Sequence, residues 1–183
     1  MSGRVLVAGV GNIFLADDGF GVEVARRLAG RSWPEHVKVA DFGIRGVHLA
    51  YELIDGYDTL ILVDAVGRGD APGTVSVIEP DLSAGAAGCD PGDGTLAAMD
   101  AHGMNPQAVL AMVGDLGGHL DRVVIVGCEP AGLDEGIGLS GPVAAAVEVA
   151  VRIVEELVAS GWSASPPPAA QVAVSVSEPT QKE

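Results

Sequence analysis

Arg4-Val5-Leu6-Val7-Ala8-Gly9-Val10-Gly11-Asn12-Ile13-Phe14-Leu15-Ala16-Asp17-Asp18-Gly19-Phe20-Gly21 is the stretch from which the rest of the chain is read. Val5-Leu6-Val7-Ala8 is an apolar run bounded by glycine, the signature of a short buried strand. Gly9 and Gly11 then open a backbone-permissive loop. The loop ends on two adjacent carboxylates, Asp17 and Asp18, just ahead of a helical pattern. Open α/β sheets place their ligands at the C-terminal ends of central strands. The loop is therefore a candidate site as well as a turn.

Working outward, strands and helices alternate. Residues 4–9 read as a strand and 17–30 as a helix, with Val22, Val24, Ala25 and Leu28 as its apolar positions. Residues 37–41 form a second strand and 47–54 a short helix with Leu49, Leu53 and Ile54 on one face. Leu60-Ile61-Leu62-Val63, within 59–64, is a continuous apolar run that suits a strand buried on both faces. Asp70-Ala71-Pro72-Gly73 is a turn signal with Pro before Gly, as a type II turn prefers, so 74–79 is expected to return antiparallel. Asn105-Pro106 reads as an N-cap and first helical position for a helix to about residue 116. Residues 122–127 form another buried strand, and Ser140 caps a last helix running to about 160. This order predicts a three-layer α/β/α sandwich with a mainly parallel sheet of about five strands.

At 183 residues the chain suits one domain with a sizeable core. With 48% apolar residues but only 4% aromatic ones, Val, Leu, Ile and Ala must build that core. The formal charge of −15 excludes an ordinary nucleic-acid binder, which needs clustered Lys and Arg. It suits a protein that resists self-association, and a monomer is expected. Cys89 and Cys128 have no CxxC spacing, so reduced thiols in a cytoplasmic protein are expected rather than a zinc knuckle or disulfide framework. No signal peptide and no membrane span are expected. A single folded domain is assigned to residues 1–161. The Pro-rich segment 162–183, with Pro166-Pro167-Pro168, reads as a disordered tail. Between about 80 and 104 lies a long Gly-, Ala- and Asp-rich loop containing His102, and loops of that length inside a compact domain are often functional.

Two chemistries compete for the opening loop. Gly9-Val10-Gly11 after a strand, with Asp41 closing the next strand, resembles half of a dinucleotide fingerprint, which would make this a nucleotide-binding Rossmann-like enzyme. Phe14 stands where the third glycine belongs, and its bulk should obstruct the close helix–strand approach that glycine permits. Asp17 and Asp18 would also repel a pyrophosphate. The alternative is a cation site. Asp41 and Asp64 fall at strand ends on the same edge as Asp18, and the long loop can bring His102 over that edge. Two carboxylates and an imidazole suit nickel, zinc or iron. Blander roles stay open: one of Asp17 and Asp18 as a helix cap, Asp64 satisfied by loop amides, His102 in a solvated loop. His36, His48 and His119 are assigned no role.

The ordered set Gly9-Val10-Gly11-Asn12, Asp17-Asp18-Gly19-x-Gly21, Asp41-x-Gly43 with Gly46, Asp64-Ala65, Pro72-Gly73-Thr74, His102 and Gly138-Leu139-Ser140 resembles the hydrogenase maturation endopeptidases. It spans residues 4–158. The resemblance implies a three-layer α/β fold and removal of a C-terminal extension from the large-subunit precursor of a nickel–iron hydrogenase, after nickel insertion. It carries metal-binding positions onto Asp18, Asp64 and His102, the first of which is Glu in some members, and a further functional acid onto Asp41. The nickel is then supplied by the substrate rather than held permanently. A non-catalytic metal-sensing or chaperone module is the rival reading. A serine or cysteine nucleophile is disfavoured, because Ser140 lies outside any G-x-S-x-G elbow and neither cysteine has a His partner in the pattern.

Overall fold

In the computed structural model of the chain, residues 3–80, 82 and 106–160 are described. The expected tail, 162–183, lies outside them, as do His102, Cys89, Asn105 and almost all of the 80–104 loop. Among the described residues five strands form one sheet: β1 (Val5–Val10), β2 (Val37–Gly43), β3 (Thr59–Ala65), β4 (Val75–Ile78) and β5 (Arg122–Cys128). Their order is β2-β1-β3-β5-β4. All pairings are parallel except β4 with β5, which is antiparallel as the Pro72-Gly73 turn predicts. In that turn the Thr74 amide donates to the Ala71 carbonyl at 3.0 Å. Gly73 takes φ +85°, the left-handed value that a type II turn demands of its third residue.

Among the described residues four helices cover the sheet: α1 (Phe20–Ala29), α2 (Gly46–Leu53), α3 (Pro106–Asp115) and α4 (Gly141–Ala159). The period-two alternation of the strands decides which face each helix covers. Val5, Val7, Ile61, Val63, Val126 and Cys128 pack on one side with Phe20, Val24 and Leu28 of α1 and Val143, Val147, Val151 and Val154 of α4. Leu6, Ala8, Val10, Leu60, Leu62 and Ile125 face the other way, onto Leu49 and Leu53 of α2 and Val109 and Val113 of α3. The sandwich is thus three-layered and its core is aliphatic, with Phe20, Phe42 and Tyr57 as its buried aromatics among the described residues. None of these helices is long and apolar enough to cross a membrane.

The helix expected over 17–30 begins later. Ala16–Gly19 is a single 3-10 turn, and α1 proper starts at Phe20. Tight packing of this turn over β1 explains the difference. A Cβ placed on Gly11, whose φ is +129°, would lie 1.8 Å from the Asp18 carbonyl oxygen. A Cβ on Gly9 would lie 2.2 Å from the Gly21 carbonyl, and one on Gly21 would lie 2.1 Å from that of Val63. The glycines of the opening motif let a helix N-terminus sit directly on two strand ends.

Candidate functional site

The strand order reverses between β1 and β3: the chain leaves β1 outward to β2 and returns past it to β3. The loops after β1 and β3 therefore diverge and leave a crevice, the usual ligand position of an open α/β sheet. Asp18 and Asp64 stand on its two sides. Asp18, 7% exposed, is carried by the 3-10 turn after β1, and its Oδ2 accepts the Asn12 amide at 2.7 Å. Asp64, 6% exposed, is the penultimate residue of β3, and its Oδ1 accepts the Ala65 amide at 2.8 Å.

Electrostatics couple the two. Burial pushes the Asp64 carboxyl well above its ordinary range, and the negative charge of Asp18 raises it further, while the Ala65 amide opposes the shift. A buried carboxylate facing another carboxylate holds a proton unless a cation takes its place. Two such carboxylates suit a hard or borderline divalent metal. Among the described residues, no three His, Cys, Asp or Glu side chains are grouped to hold a metal. The third expected member, His102, lies outside them.

Asp41 sits on the same sheet edge but one strand further out. It pairs in register with Gly9, and its carboxylate lies 3.8 Å from the half-exposed Arg26 guanidinium. The register shifts just beyond it, so that Val10 faces Gly43 and Phe42 is left over as a bulge turned into the core. Arg45 donates to the carbonyls of Asp41 and Phe42, at 2.8 and 3.0 Å, bracing the bend into α2.

Asp17 has a different job from its neighbour. Its carboxylate, 1% exposed, accepts four hydrogen bonds: Ala131 N at 2.8 Å, Gly132 N at 3.3 Å, Ser140 N at 2.6 Å and Ser140 Oγ at 2.9 Å. Ser140 occupies the N-cap position of α4, as expected, but its hydroxyl serves Asp17 rather than its own helix. Asp17 thereby places a negative charge at the N-terminus of α4, a favourable dipole interaction of about 0.3–1 kcal/mol when exposed and more when buried. So one of the paired aspartates does serve a helix, though a helix far away in sequence. Beside it, Ala16 adopts φ +46°, a left-handed conformation costing an alanine about 1–2 kcal/mol. It is held there by Ala16 N donating to Gly136 O and Gly136 N donating to Phe14 O, both at 2.9 Å.

Phe14 does not obstruct the helix–strand approach. It is 62% exposed on the rim, and Gly21 makes the close approach that a third fingerprint glycine would provide. Ile137, 83% exposed, follows Gly136 on the adjoining segment, and Ile44 is exposed on the β2–α2 loop, tied in by Gly11 N donating to Gly43 O at 3.1 Å. An apolar rim thus borders the acidic crevice.

Glu129, another nearly buried acid absent from the sequence reading, accepts the Arg68 and Gly69 amides at 2.6 and 3.3 Å and fixes the loop after β3. Cys128 is buried and free, and burial pushes its thiol up to about 12, with Asp17 and Glu129 adding to the shift. Such a thiol stays protonated and inert at neutral pH.

Comparison with known proteins agrees with this architecture. Residues 22–157 match the hydrogenase maturation protease family. The chain is 32% identical over 157 residues to the hydrogenase expression/formation protein HupD of Rhizobium leguminosarum bv. viciae, covering 82% of this chain and 74% of that protein. It is 34% identical over 154 residues to HupM of Azotobacter chroococcum, covering 83% and 70%. Among solved structures, the hydrogenase maturating endopeptidase HybD of E. coli superposes with a TM-score of 0.70 at 28% identity, covering 87% of this chain and 94% of that one.

Proposed function

Because the chain belongs to the hydrogenase maturation protease family, we propose that it removes the C-terminal extension of a nickel–iron hydrogenase large-subunit precursor once nickel has been inserted. In this reading the nickel arrives with the substrate and is the recognition element. The observation that carries it is the pair Asp18 and Asp64, buried across the crevice between the β1 and β3 loops and electrostatically coupled. Without a cation, burial and the charge of Asp18 favour the protonated form of Asp64. A precursor carrying nickel displaces that proton and draws both carboxylates, with His102 as the third contact. An empty precursor brings no cation to displace that proton, so loading is tested before cutting.

Chemistry then needs water and an acceptor for its proton. The substrate metal polarises the scissile carbonyl, a carboxylate at the edge takes the proton of the attacking water, and the amine leaves with a proton. The peptide bond is replaced by a new C-terminal carboxylate and a free amine. Asp41, on the same edge, is a candidate for holding the substrate backbone or the water. The inert Cys128 and the fully engaged Ser140 support hydrolysis by water over a covalent intermediate. The apolar rim of Phe14, Ile44 and Ile137 fits a protein substrate better than a small polar one. A cytoplasmic location follows from the same reading.

The test is to incubate the protein with nickel-loaded and nickel-free precursor and resolve the products by mass. Cleavage of the loaded precursor alone is expected. Equal cleavage of both refutes nickel gating, and binding without a mass change supports the non-catalytic chaperone. Asp18→Ala, Asp64→Ala and His102→Ala are each expected to abolish processing.

A further inference from the structure

We propose that Asp17 is a positioning residue for this cleavage, its buried carboxylate holding the turn that aims Asp18 into the crevice. The proposal rests on the protease reading for its kinetic consequence and on geometry alone for its structural one. Asp17 and Asp18 are adjacent, yet their carboxylates serve opposite sides of the turn. That of Asp18 meets the Asn12 amide and the field of Asp64. That of Asp17 is taken up by four donors from residues 131–140, more than a hundred positions away in sequence.

The turn's own hydrogen bonds, Leu15 N donating to Asn12 O and Asp18 N to Leu15 O, both at 3.0 Å, leave a strained residue between them. Ala16 is left-handed, and the Asp18 carbonyl lies so close over Gly11 that no side chain fits there. A strained conformation persists only where its surroundings over-determine it. Here the surroundings are the Gly136 backbone contacts, a long bond from Asp17 N to Gly132 O at 3.4 Å, and the four bonds to the Asp17 carboxylate. Released from them, Ala16 relaxes toward right-handed geometry and the next-but-one residue, Asp18, swings with it. The Asn12 amide then loses its acceptor.

Asp17→Asn is the informative variant. Oδ2 serves three donors and Oδ1 the fourth, so an amide in either orientation points its own NH2 at an N–H or O–H donor. Two readouts are needed. In an amide NMR spectrum, Ala131, Gly132 and Ser140 shift whatever the role of Asp17. Asn12 moves upfield only if Asp18 has been displaced. In precursor cleavage, kcat falls about 100-fold, as a misplacement of about 1 Å does, with KM unchanged. Ser140→Ala, which deletes a single donor and should fold normally, is expected to show the same pair of effects at about a tenth of the kinetic loss. An unmoved Asn12 resonance, or full kcat, in a folded variant overturns the proposal. If wild-type protein cleaves no precursor, the protease reading fails, while the Asn12 resonance still decides whether Asp17 aims Asp18.

Discussion

Gly21→Ala pits two effects of opposite sign against each other. Gly21 is the second residue of α1, and on helix propensity alone alanine is better than glycine by about 0.5–1 kcal/mol. The structure predicts the reverse. The new Cβ would lie 2.1 Å from Val63 O, 2.3 Å from Val10 O and 2.9 Å from Val10 N, where ordinary contact begins at 3.4 Å. All three neighbours are backbone atoms of central strands, so no side chain can rotate aside. Relief requires α1 to lift by roughly 1 Å, which puts the substitution near the top of the 1–3 kcal/mol typical of overpacking. After subtracting the propensity gain, a net loss of about 2 kcal/mol is expected. With a urea m-value of about 2 kcal/mol/M the unfolding midpoint drops by roughly 1 M. Lifting α1 also drags the turn bearing Asp18, so precursor cleavage should fall about 100-fold. Gly114→Ala is the control, since it sits in α3 with nothing within 4 Å of its added Cβ and should gain about 0.5 kcal/mol. A Gly21→Ala protein as stable as wild type would refute the close-packing account of the opening glycines.

Asp64→Asn should remove activity yet raise stability at neutral pH by about 0.5–2 kcal/mol, as replacing a destabilised active-site group commonly does. The sign follows from its raised carboxyl: the unfolded chain ionises first, so the folded state holds the extra proton. Stability is then full below the ordinary carboxylate range and declines as pH rises toward the folded value. Urea unfolding at pH 5.5 and 8 should show this decline in wild type and a smaller one in the variant, and parallel profiles would count against a protonated Asp64. Phe14→Ser combined with Ile137→Ser should raise KM for the precursor about tenfold, equivalent to losing about 1.4 kcal/mol of contact, with kcat preserved. Because both side chains are exposed, thermal stability should stay within about 0.5 kcal/mol of wild type, and an unchanged KM would remove the rim from substrate binding.

Every described strand and helix was legible in the chain to within a few residues, because apolar runs, Gly and Pro are local signals. The antiparallel return of β4 came from Pro72-Gly73, and the aliphatic core from the scarcity of aromatics. Asp18 and Asp64 were legible as strand-end acids for the same reason: their place depends on where a strand stops. Phe14 was misjudged. Its spacing put it where a helix should press on a strand, but the 3-10 turn delayed α1 and handed that contact to Gly21.

Composition and pattern, by themselves, determined the layers, the strand-end edge and the acids available there. They could not tell Asp17 from Asp18, two identical side chains on consecutive residues. Only the tertiary structure separated them, because the donors that engage Asp17 come from residues 131–140 and the charge that perturbs Asp64 comes from Asp18. Local sequence sets what a residue can do. Which of two equal carboxylates is neutralised by amides and which is left facing a like charge depends on what the rest of the chain brings against each.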